Sequence, residues 1–338
     1  MIVGAQPLYR HVTGYALPPQ KLDKSLCAQS ITLSVSQADL DKVPTTSPGL
    51  LPGEPGVRTL QEGSFLYRLR CCKMLPGNGF DTEASWVVAG NTWPDIFTFQ
   101  LNDTFLEPRR KLHHGRCLPI DVTPLLKAGT NTLSVYTIPK SCETSSYVVA
   151  IERVGVSSHN TIVSAIKPIS AADSLSAIRR SLESPPDEDD DIAMTSSTLT
   201  IPLFEPYRND RICDAPVRGS ACLHRECFDL ETFLSQCQRE QPGYPCVPDC
   251  WRCPICKGDV RPQTLVRDDF LMQVKEELSQ KGLLDTRAIV IQEDGSWKPR
   301  VEAQPSGVRS ASLEVEEAAA MVTAARGKQK VVEVIELD

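Results

Sequence analysis

Two short runs carry side chains able to bind a metal: Cys222-Leu223-His224 and Cys253-Pro254-Ile255-Cys256. A closed structural zinc site takes four sulfur or imidazole ligands at the corners of a tetrahedron. Cys-x-His offers two of them from an extended loop, and Cys-x-x-Cys offers two from a tight knuckle. Between the pairs, Phe228 to Gln236 has helical spacing, with Leu230, Phe233 and Leu234 facing inward. Such a helix spaces the ligand pairs and buries an apolar face beside the metal. A segment this small has little core of its own, so the metal would supply much of its folding free energy. The expectation is one structural Zn2+ ion held by Cys222, His224, Cys253 and Cys256.

The remaining cysteines fit other roles. Eight of the 13 crowd between Cys213 and Cys256, which in a reducing compartment points to metal rather than to disulfides. Cys227 lies one turn past His224 and is expected to pack beneath the helix, and Cys237 sits near the helix end. Cys213, Cys246 and Cys250 are candidates for a second metal, but no His or fourth Cys completes a regular spacing. Cys71 and Cys72 fall in an apolar, strand-like run and read as small buried hydrophobes. His11, His113, His114 and His159 have no partnered Ser or Cys, so no catalytic triad is expected.

The elements that must position the knuckle follow from composition and period. The chain has 338 residues, a net charge of −7 and 41% apolar residues, enough for two or three compact units. The acidic balance argues against a protein that coats nucleic acid through its global field. No apolar run approaches the length of a membrane-spanning helix, and Met1 to Leu17 lacks a signal peptide's apolar stretch. From Gln29 to Val156 short runs with period two alternate with Pro- and Gly-rich breaks, as in Ile31 to Val35, Phe65 to Arg70, Trp86 to Val88 and Thr132 to Thr137. The fold class expected is mainly β with a small α+β zinc module. Residues 1–24 form an N-terminal extension, 25–158 an antiparallel β-sandwich, and 159–198 a helix from Ala171 to Leu182 with an acidic linker through Asp187 to Asp191. Residues 199–265 form the zinc finger and 266–300 a following segment with a helix at Phe270 to Leu278 and a strand at Ala288 to Gln292. Residues 301–338 form a disordered tail.

A resemblance becomes specific in the finger. Pro216-Val217-Arg218-Gly219, Cys222-x-His224-x-x-Cys227-Phe228-Asp229 and Trp251-x-Cys253-Pro254-x-Cys256 resemble the SP-RING (MIZ) finger of the Siz/PIAS family of SUMO ligases. The family's single-zinc ligands carry over to Cys222, His224, Cys253 and Cys256. Glu205-Pro206-Tyr207 stands where family members carry a Cys-Pro pair, a departure that bears on loop packing rather than on the metal. Gly243 to Cys250 is longer than the family spacing and is expected to be a surface loop. Leu118 to Thr123, Asn131 to Leu133 and Tyr147 to Val154 are similar to the family's PINIT domain, a β-sandwich implicated in substrate choice. Leu265 to Phe270 and Asp294 to Trp297 resemble the segment following the SP-RING. No match to the family's N-terminal SAP module is seen, as in a fungal-like member lacking it, so no direct nucleic-acid module is implied.

The resemblance implies a transferase without a covalent catalyst of its own. Its partners would be a SUMO-conjugating enzyme, SUMO and protein substrates, and its place the nucleus. By likeness to RING surfaces, Tyr207, Pro254 and Ile255 would make apolar contacts to the conjugating enzyme. At the C-terminus, Val331 to Asp338 offers β-branched residues flanked by acids, suited to strand addition on a sheet edge. Val332, Val334 and Ile335 there resemble a SUMO-interacting motif. The alternative is a non-catalytic nuclear adaptor that binds sumoylated proteins.

Overall fold

The computed structural model describes residues 7–47, 57–74, 80, 82–109, 112, 117–138, 145–183, 198–238 and 247–300. The acidic linker, His113-His114, Cys246 and the SUMO-interacting motif lie outside the described residues. Two four-stranded sheets face each other in the first half. In chain order the elements are β1 (Leu8–Lys21), β2 (Ala28–Val35), α1 (Gln37–Leu40), β3 (Thr46–Ser47), β4 (Val57–Arg58) and β5 (Phe65–Met74). They continue with α2 (Glu83–Val87), β6 (Phe97–Leu101), β7 (Thr104–Leu106), β8 (Ile120–Asp121), β9 (Gly129–Thr137) and β10 (Ser146–Ser158). One sheet runs β1-β10-β5-β8 and the other β2-β9-β6-β7.

Alternation explains how the sheets meet. In β9, Asn131, Leu133, Val135 and Thr137 are buried while the residues between them are half-buried or exposed. Of these, Leu133 and Val135 join Leu69, Phe97, Phe99, Leu101 and Ile151 in one apolar core. Burial of such side chains stabilises the sandwich by about 1.5–3 kcal/mol each relative to exposure.

Two expectations change here. The N-terminal extension is not separate: Leu8–Lys21 is strand β1, paired antiparallel with β10 from Leu8↔Ser158 to Lys21↔Val148. Trp86 to Val88 is not a strand. Thr82 caps the short helix α2 by accepting from the Ser85 N–H, and the Trp86 indole N–H reaches the Glu152 carboxylate at 2.8 Å. The outward face of β5 carries a buried ion pair. Arg70 is 2% exposed, because Glu152, itself fully buried, accepts from Arg68 (2.6 Å), Arg70 (2.7 Å) and Trp86.

The second half adds α3 (His159–Ala165), β11 (Lys167–Ile169), α4 (Ala171–Glu183), β12 (Thr198–Pro202), β13 (Pro216–Gly219) and β14 (Phe228–Asp229). Then come α5 (Leu230–Cys237), β15 (Leu265–Asp268), α6 (Asp269–Gln280), β16 (Ala288–Gln292) and β17 (Trp297–Pro299). The finger's sheet runs β11-β15-β13-β14, with β11 parallel to β15. Strand β12, grouped with the finger on sequence, pairs instead with β16 of the following segment. The apolar sides of α4 and α6 close over that sheet through Ile178, Val274, Leu278, Ile289 and Ile291.

Candidate metal centre

The local fold of the finger follows from its capping and turn residues. Asp229 is fully buried and caps α5, accepting from the Thr232 N–H and hydroxyl at 3.0 Å. Its other oxygen takes the N–H groups of Asp214 and Ala215, which fixes the entry to β13. Leu230, Phe233 and Leu234 then face inward against Val217, Phe228, Trp251 and Val260. The knuckle is a tight hairpin. The Cys253 N–H donates to the Gly258 carbonyl at 2.8 Å and the Lys257 N–H to the Cys253 carbonyl at 3.0 Å, with Lys257 in the left-handed region at φ 63°.

These elements bring the four expected ligands together. The ligand atoms of Cys222, His224, Cys253 and Cys256 all lie within 4.8 Å of one another, and among the described residues no other His/Cys/Asp/Glu group could hold a metal. The Cys222 and Cys256 sulfurs are 3.6 Å apart, and the Cys253 sulfur is 3.3 Å from His224 Nε2. With Zn–S near 2.3 Å and Zn–N near 2.0–2.1 Å, a tetrahedral zinc requires about 3.8 Å and about 3.6 Å for those edges. The donor set therefore fits one structural zinc ion. His224 Nδ1 lies 3.0 Å from the Glu226 carbonyl, which selects the Nδ1–H tautomer and leaves Nε2 free for the metal.

Local donors prepare the thiolates. A hydrogen bond from the Cys222 thiol, then the N–H groups of Cys256 and Ile255 and the His224 ring, outweigh burial and bring the Cys253 thiol down to about 4. Cys222 is pushed up in return, chiefly by its bond to Cys253 and by burial. Gly219 allows the ligands to close: a Cβ there would lie 2.6 Å from the Asp259 carbonyl oxygen and 3.0 Å from the Cys222 sulfur.

Among the described residues the other cysteines do not join the site. Cys227 packs with Ile212, Phe270, Leu271 and Val274, away from α5, where it was expected. The cause is the turn after His224, which aims it across the sheet toward α6. The Cys213 thiol donates to the Cys227 carbonyl at 3.8 Å, and burial raises Cys213 to about 12, the behaviour of a structural thiol. Cys71 and Cys72 are fully buried.

The residues expected to meet a conjugating enzyme lie on the finger's surface. Tyr207 is 41% and Ile255 37% exposed, and Pro254 is half-buried. Burial, then the nearby Cys237, Glu205 and Cys253, push the Tyr207 phenol up, which puts that side chain within electrostatic reach of the knuckle. Leu223, between two ligands, is 95% exposed, and sequence reasoning passed over it. A leucine inside a ligand pair has no buried side to face, and that position was its only signal. Glu205 was also missed as a structural group: its carboxylate accepts from the N–H groups of Tyr207 and Arg208.

The finger is seated on the sandwich. The fully buried Arg261–Asp259 pair reaches the Val12 carbonyl at 3.0 Å and Glu83 at 2.7 Å. The stretch expected as a free surface loop ends in Asp249, which Arg68 of β5 grips through both nitrogens at 3.1 and 2.7 Å. The unmatched positive charge of Arg68 and Arg70 around Glu152 is the physical reason that part of the loop is tied down.

Residues 206–259 match the family model described as MIZ/SP-RING zinc finger. The chain carries an SP-RING zinc finger there. It is 30% identical over 159 residues to the human E3 SUMO-protein ligase PIAS2, covering 45% of this chain and 23% of that protein. It is 27% identical over 202 residues to the E3 SUMO-protein ligase pli1 of Schizosaccharomyces pombe, covering 58% and 25%. The SP-RING chain thus spans about a quarter of the length of these curated relatives. A looser likeness links it to the crystal structure of the S. cerevisiae SUMO E3 ligase SIZ2, at 21% identity and a TM-score of 0.34, over 89% of this chain and 100% of that one.

Proposed function

We propose that this chain is a SUMO-protein ligase of the RING type, acting on a conjugating enzyme already charged with SUMO. In the reaction a substrate lysine amine attacks the thioester carbonyl, the C–S bond breaks, the isopeptide bond forms, the conjugating enzyme's cysteine leaves as thiolate, and the proton shed by the amine passes to that thiolate or to water. The ligase needs no nucleophile for this; it lowers the barrier by holding donor and acceptor in a reactive orientation, an effect that can reach several kcal/mol. The single observation that carries the reading is the converged Cys222, His224, Cys253 and Cys256 set inside an SP-RING segment. Bound zinc supplies rigidity to the knuckle and no redox or Lewis-acid chemistry.

Around that knuckle Tyr207, Pro254 and Ile255 present apolar surface to the conjugating enzyme, and Leu223 extends it from the other ligand loop. The sandwich, PINIT-like by resemblance, positions the substrate at a fixed attitude because Arg261, Trp251 and Asp249 tie it to the finger. Val332, Val334 and Ile335 hold a SUMO by strand addition. The site of action is the nucleus, by analogy with the relatives.

Reconstitution with purified activating and conjugating enzymes tests this. The parent should speed transfer by more than about tenfold, equivalent to about 1.4 kcal/mol of barrier. His224→Ala should remove the gain, and Tyr207→Ala or Ile255→Ala should reduce it with zinc retained. SUMO binding without any rate gain would instead identify a non-catalytic adaptor.

A further inference from the structure

Glu205 is 1% exposed, yet two positions further on Tyr207 is 41% exposed. Its carboxylate is divided between them and the next residue: Oε1 accepts from the Tyr207 N–H at 2.9 Å and Oε2 from the Arg208 N–H at 2.8 Å. The main chain of Glu205 is fixed too, its N–H donating to the Arg211 carbonyl and its carbonyl accepting from the Asn209 N–H, both at 2.8 Å. Asn209 takes φ 55° to close the turn, and a Phe204↔Ile212 bridge seals its base. The loop that presents Tyr207 therefore hangs from one buried carboxylate.

Only an ionised carboxylate offers two acceptor oxygens with no donor, which is what two consecutive N–H groups require. Glutamine in the same place would turn an amide N–H toward one of them. Charge-assisted bonds of this kind are about twice as strong as neutral ones. The Tyr207 phenol lies within electrostatic reach of Cys237 and Cys253, so a loop that shifted would carry the ring away from the knuckle.

We infer that Glu205 is a positioning residue for the conjugating-enzyme docking face. It touches neither metal nor partner, and it fixes the pose in which Tyr207 meets the conjugating enzyme. The inference rests on the SUMO-ligase reading and deepens it, assigning the pose of the docking loop to a residue hidden beneath it.

The test compares the full chain with Glu205→Gln and Glu205→Ala. Both should keep a full equivalent of zinc, since Glu205 contacts no ligand. Amide exchange at Tyr207 and Arg208 should quicken, while exchange in α5 should not. The Kd for the uncharged conjugating enzyme, and KM for the charged one, should rise about tenfold with kcat at saturation unchanged. Glu205→Gln, the isosteric change, decides the matter where Glu205→Ala fails to fold. Unchanged Kd and exchange in Glu205→Gln overturn the inference, as does a parent that does not bind the conjugating enzyme. A parent that binds without accelerating transfer sinks the ligase reading alone, and the change in Kd still judges Glu205.

Discussion

The Trp251 indole N–H donates to the Arg10 carbonyl at 2.7 Å, across 241 positions of chain. Trp251 precedes the ligand Cys253 by two residues, and Arg10 lies on β1. Tyr9 and His11, on either side of Arg10, set their rings edge-on to Trp251 at 6.2 and 5.9 Å between centroids. Tyr9 also shares the finger's apolar core with Phe233 and Val260. The knuckle is thus seated on the first strand of the sandwich rather than tethered to it.

Removing a ligand should dismantle this seat from the finger side. His224→Ala leaves three sulfurs within 4.8 Å of one another and no imidazole to complete the tetrahedron. Metal analysis after dialysis should show loss of the zinc equivalent. Because structural zinc contributes on the order of 10 kcal/mol to such modules, the finger's Trp251 fluorescence should change to that of a solvated indole. Retention of zinc with unchanged fluorescence would contradict the ligand set.

Gly219→Ala should be costly although its φ is ordinary. The added methyl would sit 2.6 Å from the Asp259 backbone oxygen, which has no flexible end to move aside, and 3.0 Å from the Cys222 sulfur. Overpacking of this kind costs about 1–3 kcal/mol, and chemical denaturation should register it together with weaker zinc retention against a chelator.

Glu152→Ala should be among the most damaging changes outside the finger. The carboxylate is fully buried and answers Arg68, Arg70 and Trp86. Burial would lift its pKa, but Arg68 and Arg70 hold it below the usual range. Deleting it leaves the buried Arg70 without a carboxylate and Arg68 with Asp249 alone, a loss of about 3–5 kcal/mol in unfolding free energy. Asp249→Ala removes a partner whose side chain is 33% exposed, and solvent screening keeps that cost near about 1 kcal/mol.

Acid should loosen the seat through His11. Burial, and then the Arg261 charge, lower its pKa from 6.5 to about 4. The folded state therefore binds fewer protons than the unfolded state between those values. This contribution is fully present above pH 6.5 and is lost as pH falls toward 4. At pH 5 the loss is about 2 kcal/mol, from about 1.4 kcal/mol per unit. Melting curves at pH 7 and pH 5 should show a smaller acid penalty for His11→Gln than for the parent.

The parts legible in the sequence were those whose signals are local. Cys-x-His, Cys-x-x-Cys and the apolar spacing of Leu230, Phe233 and Leu234 each occupy a few neighbouring positions, and Ala288–Gln292 is strand β16 as its β-branched run suggested. Strand β1 was hidden because register shifts between Val12 and Gly14, Tyr15 and Leu17, and Leu17 and Gln20 break its alternation, and Pro18 and Pro19 fall within it. Arg68 and Arg70 enter the sequence reading only as the polar positions of an alternating strand. Their partner Glu152 lies more than 80 positions away, and only folding reveals the pairing.

The parallel pairing of β11 with β15 orders events during synthesis. Lys167–Ile169 leaves the ribosome about a hundred residues before Leu265–Asp268, which at about 5–20 residues per second is a wait of about 5–20 s. Until then β11 has nothing to lie against, since β15 is the strand that joins it to β13. All four ligands emerge before β15 does, so a nascent chain can capture its ion while the platform beneath is still missing a plank. Assembly of the module is completed only when the chain beyond the last cysteine is threaded between two strands made earlier.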